Sequence, residues 1–321
     1  MLERVTDVAV GVIVRADGKI LLGSRPEGKP WAGWWELPGG KIEPGETASQ
    51  ALVRELEEEI DIKVTSLRPW VTHIHRYPNN TVRLHFWRVT AWEREPVAQE
   101  SQALQWVDIS TALERKDLLP ATYPPLRWLQ VPDRYLISNV GGPQGMPGFM
   151  ALLTRAIEQG ISLVQWREPG WQQKSGSDSV LRGLNEALSL CRSAGVRLLV
   201  NSVHPAPWWS MADGVHLRAS DAMALDARPA LPEGHWVGVS THSPLELEHA
   251  RTIAADFAVL GPVLATQSHP DGTPLGWETF EAWREAAGLP VFAIGGQSTA
   301  SYQTALSRGA HGIAGIRQLI D

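Results

Sequence analysis

Eight short apolar segments in the second half of the chain alternate with helix or loop sequence, and this rhythm constrains the fold more than any other feature. Each segment is mostly apolar, which is typical of a strand buried on both faces of a parallel sheet. Eight such strands predict a closed (β/α)8 barrel of roughly 190 residues, slightly below the typical size. The predicted strands are segments 135–138, 163–167, 197–201, 214–217, 236–240, 257–260, 291–294 and 312–314.

The first half has a different rhythm. Segments 8–14 and 19–22 indicate strands joined by a hairpin turn at Asp17 and Gly18. A helix over 47–60 follows, then strands over 67–72 and 82–90, and a last helix that ends near Leu129. The order β-β-α-β-β-α predicts an α/β/α sandwich with a short mixed sheet.

Length and composition set further bounds. A chain of 321 residues is too long for one ordinary domain, and the rhythm restarts after Val131. We therefore expect two domains, 1–130 and 131–321. The net charge of -6 argues against stable nucleic-acid binding. The single cysteine, Cys191, excludes internal disulfides and suits a reducing cytoplasm, where we expect it as a buried, inert thiol. The N-terminus does not read as a secretory signal, and no apolar stretch is long enough to span a membrane.

A glutamate-rich helix in the first half carries the strongest functional signal. Apolar residues recur at helical spacing over 47–60. On a helical wheel at about 100° per residue, Glu55 and Glu59 fall inside the apolar arc, Glu58 flanks it and Glu57 lies opposite. Solvated charges belong opposite the apolar stripe, so only Glu57 fits the usual reading of such a run as a solvated face.

Carboxylates at the edge of a core repel one another and lose hydration, and both effects are costly. A hard divalent cation removes both penalties, and Mg²⁺ prefers oxygen ligands. Because Mg²⁺ keeps several waters and binds phosphates, the natural substrate of such a site is a diphosphate.

This stretch resembles the Nudix box, G-x5-E-x7-R-E-U-x-E-E-x-G-U, where U is a bulky aliphatic residue. One position departs, because Asp61 stands where the pattern has glycine, directly after the helix. A left-handed residue is common there, and aspartate tolerates that conformation better than most residues. We therefore expect a small stability cost and no loss of activity. The matching residues are Gly40, Glu46, Arg54, Glu55, Leu56, Glu58, Glu59 and Ile62.

Among Nudix families, the first 130 residues look most like the MutT-type 8-oxo-dGTP pyrophosphohydrolases. In that family a loop arginine meets the oxidised purine, and Arg25 matches it. The family's purine-reading asparagine aligns with Thr122, whose hydroxyl has less reach than an amide, so base selectivity depends on this departure. The positions that match substrate-binding residues are Arg25, Glu36, Leu37, Pro38 and Thr122.

The resemblance also implies a metal site. Glu58, Glu59 and the Gly39 carbonyl would hold Mg²⁺, for which Mn²⁺ is a substitute, with Glu55 and Glu100 nearby. Glu55 or Glu59 would accept the proton of the attacking water, and the sequence leaves both open. The predicted catalytic residues are Glu55, Glu59 and Arg54.

Arg54 lies one turn before Glu58, so an i,i+4 pair would orient that carboxylate. In MutT-type enzymes water attacks the β-phosphorus, so we expect 8-oxo-dGTP to give 8-oxo-dGMP and diphosphate, a reaction of nucleotide-pool sanitation and DNA repair. The alternatives are another nucleoside triphosphate or, because a barrel is fused to this half, a thiamine-related diphosphate.

Functional groups of a (β/α)8 barrel cluster at the C-terminal ends of its strands. Glycine turns after the seventh and eighth strands match the usual phosphate corner, although turn geometry alone would also require glycine. The residues at or just after strand ends are Gln165, Arg167, Asn201, Asp221, Ser240, His242, Thr266 and Ser268, with Gly295, Gly296 and Arg317 at the phosphate corner.

The second half resembles thiamine-phosphate synthase and the related thiazole tautomerase, which are TIM barrels. Three synthase positions depart: Pro169 and His269 replace lysines, and Ser202 replaces a metal-binding aspartate. We therefore expect a degenerate barrel that binds a phosphorylated small molecule. An active synthase, or a tautomerase with His242 as acid and base, is the alternative. The segments that carry the likeness are 164–168, 213–217, 238–242, 260–263 and 293–296.

Overall fold

The computed structural model describes residues 5–266 and 273–320. The chain divides into two compact units, Met1–Val131 and Pro132–Asp321. In the described residues no helix is long and apolar enough to cross a membrane.

The N-terminal unit is a mixed α/β fold with two sheets. The first has the order β4-β1-β6-β5, in which β1 and β6 are parallel, and the second has the antiparallel order β3-β2-β7. The strands are β1 (Val5–Ile13), β2 (Ile20–Ser24), β3 (Trp35–Glu36), β4 (Gly39–Lys41), β5 (Lys63–Tyr77), β6 (Asn80–Glu93) and β7 (Leu104–Val107), and the helices are α1 (Ala48–Ile60), α2 (Ile109–Leu113) and α3 (Tyr123–Trp128).

Alternate residues of β1 build the two faces of this sandwich. Ala9 and Ile13 pack with the helix α1, whereas Val10 and Val12 pack in the core that contains Trp128 of α3. The period of two along the strand places successive side chains on opposite faces. The mixed sheet between helices is therefore as predicted.

The predicted set of strands differs from the observed one in two respects. It omitted β3, β4 and β7, because strands of two to four residues are too short to show a period. It also made β5 and β6 too short. Their pairing continues from Lys63 opposite Glu93 to Tyr77 opposite Asn80, through bulges and through polar residues that show no apolar alternation.

Helix α1 forms as its sequence predicts. Thr47 caps its N-terminus together with Gln50 in a capping box, and Leu52 and Leu56 are fully buried. At its C-terminus Asp61 is left-handed, with φ of 54° and ψ of 29°, and its N–H donates to the Glu57 carbonyl. Aspartate thus takes the conformation for which the Nudix pattern uses glycine.

The C-terminal unit is a closed barrel of eight parallel strands, in which the last strand pairs with the first. Each observed strand begins and ends within one residue of its prediction. The strands are β8 (Arg134–Ile137), β9 (Leu163–Trp166), β10 (Arg197–Asn201), β11 (Gly214–Leu217), β12 (Trp236–Thr241), β13 (Phe257–Leu260), β14 (Val291–Ile294) and β15 (Gly312–Gly315). The helices are α4 (Met146–Glu158), α5 (Pro169–Ser193), α6 (Pro207–Met211), α7 (Ala219–Met223), α8 (Pro244–Thr252), α9 (Gly276–Glu285) and α10 (Tyr302–Ser307).

Cys191 is buried on the inner face of α5, and burial raises the pKa of its thiol to about 12. A buried thiol with a raised pKa is unreactive, as expected, because the thiolate is the reactive form.

Candidate functional site

Arg54 organises the acidic surface of α1. Its guanidinium donates to both oxygens of Glu46 at 2.8 and 3.0 Å, to Glu55 Oε1 at 2.9 Å and to Glu58 Oε2 at 3.1 Å. The hydrogen bond with Glu46 is the main reason that the pKa of Arg54 is raised and that the pKa of Glu46 falls to about 2. The predicted pair with Glu58 is present, and Arg54 also fixes two further carboxylates.

The glycine turn before α1 makes room for these carboxylates. A Cβ atom on Gly40 would lie 2.0 Å from Glu55 Cδ. Gly39 has a φ of +142°, and a Cβ there would lie 2.2 Å from the Ala9 carbonyl oxygen. Gly40 thus lets β4 approach α1 closely, and Gly39 lets β4 approach β1. The Gly39 N–H donates to the Glu59 carboxylate.

Glu59 is in an environment that disfavours its charged form. Burial, together with the negative charges of Glu55 and Glu100, raises the pKa of its carboxyl to about 7. The ammonium of Lys29, 3.1 Å from Glu100, acts in the opposite direction. Glu55, Glu59 and Glu100 therefore form one electrostatic cluster, which we call the carboxylate cluster.

The carboxylate cluster has the chemistry of a hard-cation site, since its oxygen donors repel one another without a cation. Within residues 5–266 and 273–320, no group of three or more His, Cys, Asp or Glu side chains is arranged to hold a metal ion. Glu58, predicted as a ligand, has a side chain that is 62% exposed and is bonded to Arg54. The carboxylate oxygens of Glu55, Glu59 and Glu100 nevertheless fit Mg²⁺ by their chemistry, because they are hard donors whose mutual repulsion a cation would relieve.

Arg54→Lys is expected to lower kcat/KM for the expected substrate, 8-oxo-dGTP, roughly tenfold or more. An ammonium cannot bridge Glu46, Glu55 and Glu58, and each lost charged hydrogen bond is worth about 1.5–3 kcal/mol. Steady-state kinetics would measure the loss. Arg94→Lys is the matched control, because Arg94 also bonds two acidic residues at α1, Glu57 and Asp61. Equal losses in both variants would show that Arg54 has only a general structural role.

Two of the predicted substrate-binding residues, Arg25 and Glu36, form a second polar pair. Arg25 Nη1 donates to both oxygens of Glu36 at 2.9 and 2.8 Å. Burial raises the pKa of Glu36 despite this pair. Burial raises the pKa of the Tyr77 hydroxyl, and the charges of Glu36 and Arg25 also act on it. This hydroxyl hydrogen-bonds the backbone of Ala121, next to Thr122. The structure thus brings Arg25, Glu36 and the Thr122 segment around Tyr77.

Three other predicted residues of this region are buried. Leu37 and Thr122 are 5% and 4% exposed, and the carbonyl of the buried Pro38 accepts the Gly11 N–H at 2.8 Å. Their side chains or backbone support the walls of the site. Of the tryptophans in the loop before the glycine turn, Trp35 packs on the core, whereas Trp31 is 43% exposed.

Hydrogen bonds cross the interior of the barrel in a continuous chain. Asn201 donates to Gln165 at 2.8 Å, and Gln165 donates to the Tyr135 hydroxyl at 3.2 Å. That hydroxyl lies 3.2 Å from His216 Nδ1, and His216 Nε2 lies 2.9 Å from Ser240 Oγ. Burial, together with the charge of Arg167, lowers the pKa of His216 to about 3, so this histidine is neutral. This chain of hydrogen bonds thus joins three of the predicted barrel residues, Gln165, Asn201 and Ser240.

The other predicted barrel residues are dispersed. His242 is 59% exposed and lies 3.2 Å from Glu246, so it faces a carboxylate at the surface. Asp221 is bonded to Arg218 and Ser202. Thr266 is half-buried and Arg317 is exposed. Ser268 and His269 lie outside the described residues.

The glycine turn after β14 has a steric reason of its own. Gly295 and Gly296 have φ values of +92° and +64°. A Cβ on Gly295 would lie 2.6 Å from Pro262 Cβ, and one on Gly296 would lie 2.7 Å from the Ala265 carbonyl oxygen. Turn geometry therefore requires both glycines, and a phosphate at this corner remains a prediction.

Sequence reasoning missed several residues of both sites. His216 had a signal, since it is a polar residue inside the apolar segment 214–217. Tyr135, Tyr77 and Lys29 had none, because each acquires its partner from a distant segment.

Both units are similar to known proteins. Residues 5–129 match the NUDIX domain. Over 115 residues the chain is 42% identical to a CTP pyrophosphohydrolase of Escherichia coli, covering 36% of this chain and 84% of that protein. Over 117 residues it is 37% identical to the 8-oxo-dGTP diphosphatase of the same organism, covering 36% of this chain and 90% of that protein.

Residues 135–319 match the family described as thiamine monophosphate synthase. The chain is 33% identical over 189 residues to a thiamine-phosphate synthase of Methanocella arvoryzae, covering 59% of this chain and 87% of that protein. It spans about half, 51%, of the length of a Synechococcus thiamine-phosphate synthase. The N-terminal unit is therefore a Nudix hydrolase domain related to MutT, and through its C-terminal unit the chain belongs to the thiamine monophosphate synthase family.

Proposed function

We propose that the N-terminal unit is a Mg²⁺-dependent pyrophosphohydrolase that converts 8-oxo-dGTP into 8-oxo-dGMP and diphosphate. The observation that carries this proposal is the carboxylate cluster beside Gly39, in which the pKa of Glu59 lies near 7. The 37% identity to an 8-oxo-dGTP diphosphatase supports the choice of substrate. Such an enzyme would sanitise the nucleotide pool of the cytoplasm before oxidised bases enter DNA.

The residues of this chain have separable tasks in the reaction. Mg²⁺, or Mn²⁺, would neutralise the phosphate oxygens that repel an incoming water. Glu58, Glu59 and the Gly39 carbonyl would hold the cation, with Glu55 and Glu100 nearby. Glu59 or Glu55 would accept the proton of the water.

A second candidate substrate is CTP. Thr122 replaces the purine-reading asparagine, and a relative 42% identical to this chain is a CTP pyrophosphohydrolase. A hydroxyl offers one donor and no amide fork, so it discriminates less sharply between bases. A thiamine-related diphosphate is the third candidate, because a thiamine monophosphate synthase-like barrel is part of the same chain.

A substrate panel separates these candidates. The kcat/KM of the full chain is compared for 8-oxo-dGTP, dGTP, CTP and thiamine diphosphate, and the products are identified. We expect the highest value for 8-oxo-dGTP, with a nucleoside monophosphate and diphosphate as products. A preference for CTP would change the substrate and keep the chemistry, whereas release of orthophosphate alone would reject the MutT-type reaction.

For the barrel, the support favours a ligand-binding domain for a phosphorylated small molecule. The chain of hydrogen bonds from Asn201 to Ser240 supplies polar groups, while Pro169 and Ser202 replace synthase groups. Formation of thiamine phosphate, or thiazole tautomerisation, by the full chain would instead show that the barrel is catalytic.

A further inference from the structure

Ser202 and Asp221 lie together at the C-terminal edge of the barrel. Ser202 directly follows β10, and Asp221 is in α7, after β11. The Ser202 hydroxyl donates to Asp221 Oδ2 at 2.5 Å. An aspartate at position 202 would therefore place a second carboxylate beside Asp221, which is an arrangement that calls for a cation.

In this chain a guanidinium supplies that positive charge. Arg218 Nε donates to Asp221 Oδ2 at 2.7 Å, and Arg218 Nη2 donates to Oδ1 at 2.9 Å. The backbone N–H of Arg218 also donates to Ser202 Oγ at 2.9 Å. Although burial raises the pKa of Asp221, the hydrogen bonds from Arg218 and Ser202 bring it below its usual value.

These contacts do not fit a divalent cation. Two donors from Arg218 and one from Ser202 already occupy the two oxygens of Asp221, and the Ser220 side chain adds a further hydrogen bond. A carboxylate has about four acceptor sites. The other side chain is a neutral hydroxyl. A metal ion would have to displace a bidentate guanidinium, which is a stable partner of a carboxylate.

A second guanidinium follows the strand β9, which pairs with β10. Arg167 follows β9, and in the part of the chain that the structure describes its side chain makes no ion pair. Its positive charge reaches His216 and His204. Arginine is well suited to phosphate, because its planar fork matches two phosphate oxygens.

We infer that the barrel binds a phosphate monoester without a divalent cation, the guanidinium of Arg218 taking the place of the metal beside Asp221 and that of Arg167 meeting the phosphate. A diphosphate, which carries more charge, is not the expected ligand, because no divalent cation would neutralise it. This inference rests on the ligand-binding role proposed for the barrel, and it does not depend on the activity of the N-terminal unit.

The first test counts bound Mn²⁺ in the full chain by electron paramagnetic resonance. Glu55→Gln with Glu59→Gln serves as background, to remove ligands of the N-terminal unit. We expect Asp221→Asn to change nothing in this background, and Ser202→Asp with Arg218→Ala to add one bound Mn²⁺. The inference is overturned if Asp221→Asn removes a bound Mn²⁺, or if the double substitution adds none while circular dichroism shows a folded barrel.

The second test uses inorganic phosphate as the probe. In EDTA, the background protein should broaden the ³¹P signal at millimolar phosphate, and Arg167→Ala should abolish the broadening. Arg251→Ala is the control, because Arg251 pairs with Glu248 on the outer helix α8. Broadening that needs added Mg²⁺, or that is indifferent to Arg167, would contradict a metal-free phosphate site.

Discussion

Glu59→Gln is expected to lower kcat by roughly a hundredfold or more and to leave the fold intact. Glutamine keeps an oxygen that can accept the Gly39 N–H, but it cannot take a proton from water and is a poorer cation ligand. The loss would therefore appear in turnover and in the concentration of Mg²⁺ needed for half-maximal rate. Single-turnover kinetics at several Mg²⁺ concentrations would separate the two effects.

Glu57→Gln is the matched control for this experiment. It lies two residues away on the same helix, its side chain is 56% exposed, and it pairs with Arg94 outside the carboxylate cluster. We expect near-normal turnover from it. If Glu59→Gln and Glu55→Gln both retained near-normal rates, the proposed pyrophosphohydrolase would be rejected.

Metal-free protein is expected to lose stability as the pH rises from about 4.5 to about 7, through the titration of Glu59. The folded-state pKa of Glu59 is about 7 and the ordinary value is 4.5, so in this window the folded state binds more protons than the unfolded state. Stability then falls with rising pH and is constant, for this group, above pH 7. The difference corresponds to about 3 kcal/mol.

Thermal unfolding in EDTA between pH 4.5 and 8 would measure this effect. Glu59→Gln should flatten its contribution and make the metal-free protein more stable than wild type at pH 8. Saturating Mg²⁺ should stabilise wild type most at high pH, where the carboxylate is charged, because a cation that binds only the folded state stabilises it. A Glu59→Gln profile as steep as that of wild type would place the titration elsewhere.

Periodicity was sufficient to predict the elements that are long or repeated. All eight barrel strands were predicted because each is a short, mostly apolar run, and α1 because its buried residues recur at helical spacing. The same wheel correctly separated the exposed Glu57 from Glu55, which is 17% exposed. These predictions needed only local patterns.

Partners that come from distant segments were beyond such patterns. Nothing in the sequence around Glu46 shows that it is the main partner of Arg54, and nothing around Lys29 shows that it meets Glu100, 71 positions away. Tertiary packing, not composition, decides which of several charges meet.

The close approach of Gly40 to Glu55 has a consequence for reading variants of this protein. A single methyl group at residue 40 would overlap the carboxylate of Glu55, although every acidic residue would still be present in the chain. A count of the acidic residues would then classify such a variant as active, although the arrangement of its carboxylates would be lost. Empty volume at one backbone position thus belongs to the proposed active site as much as any oxygen atom does.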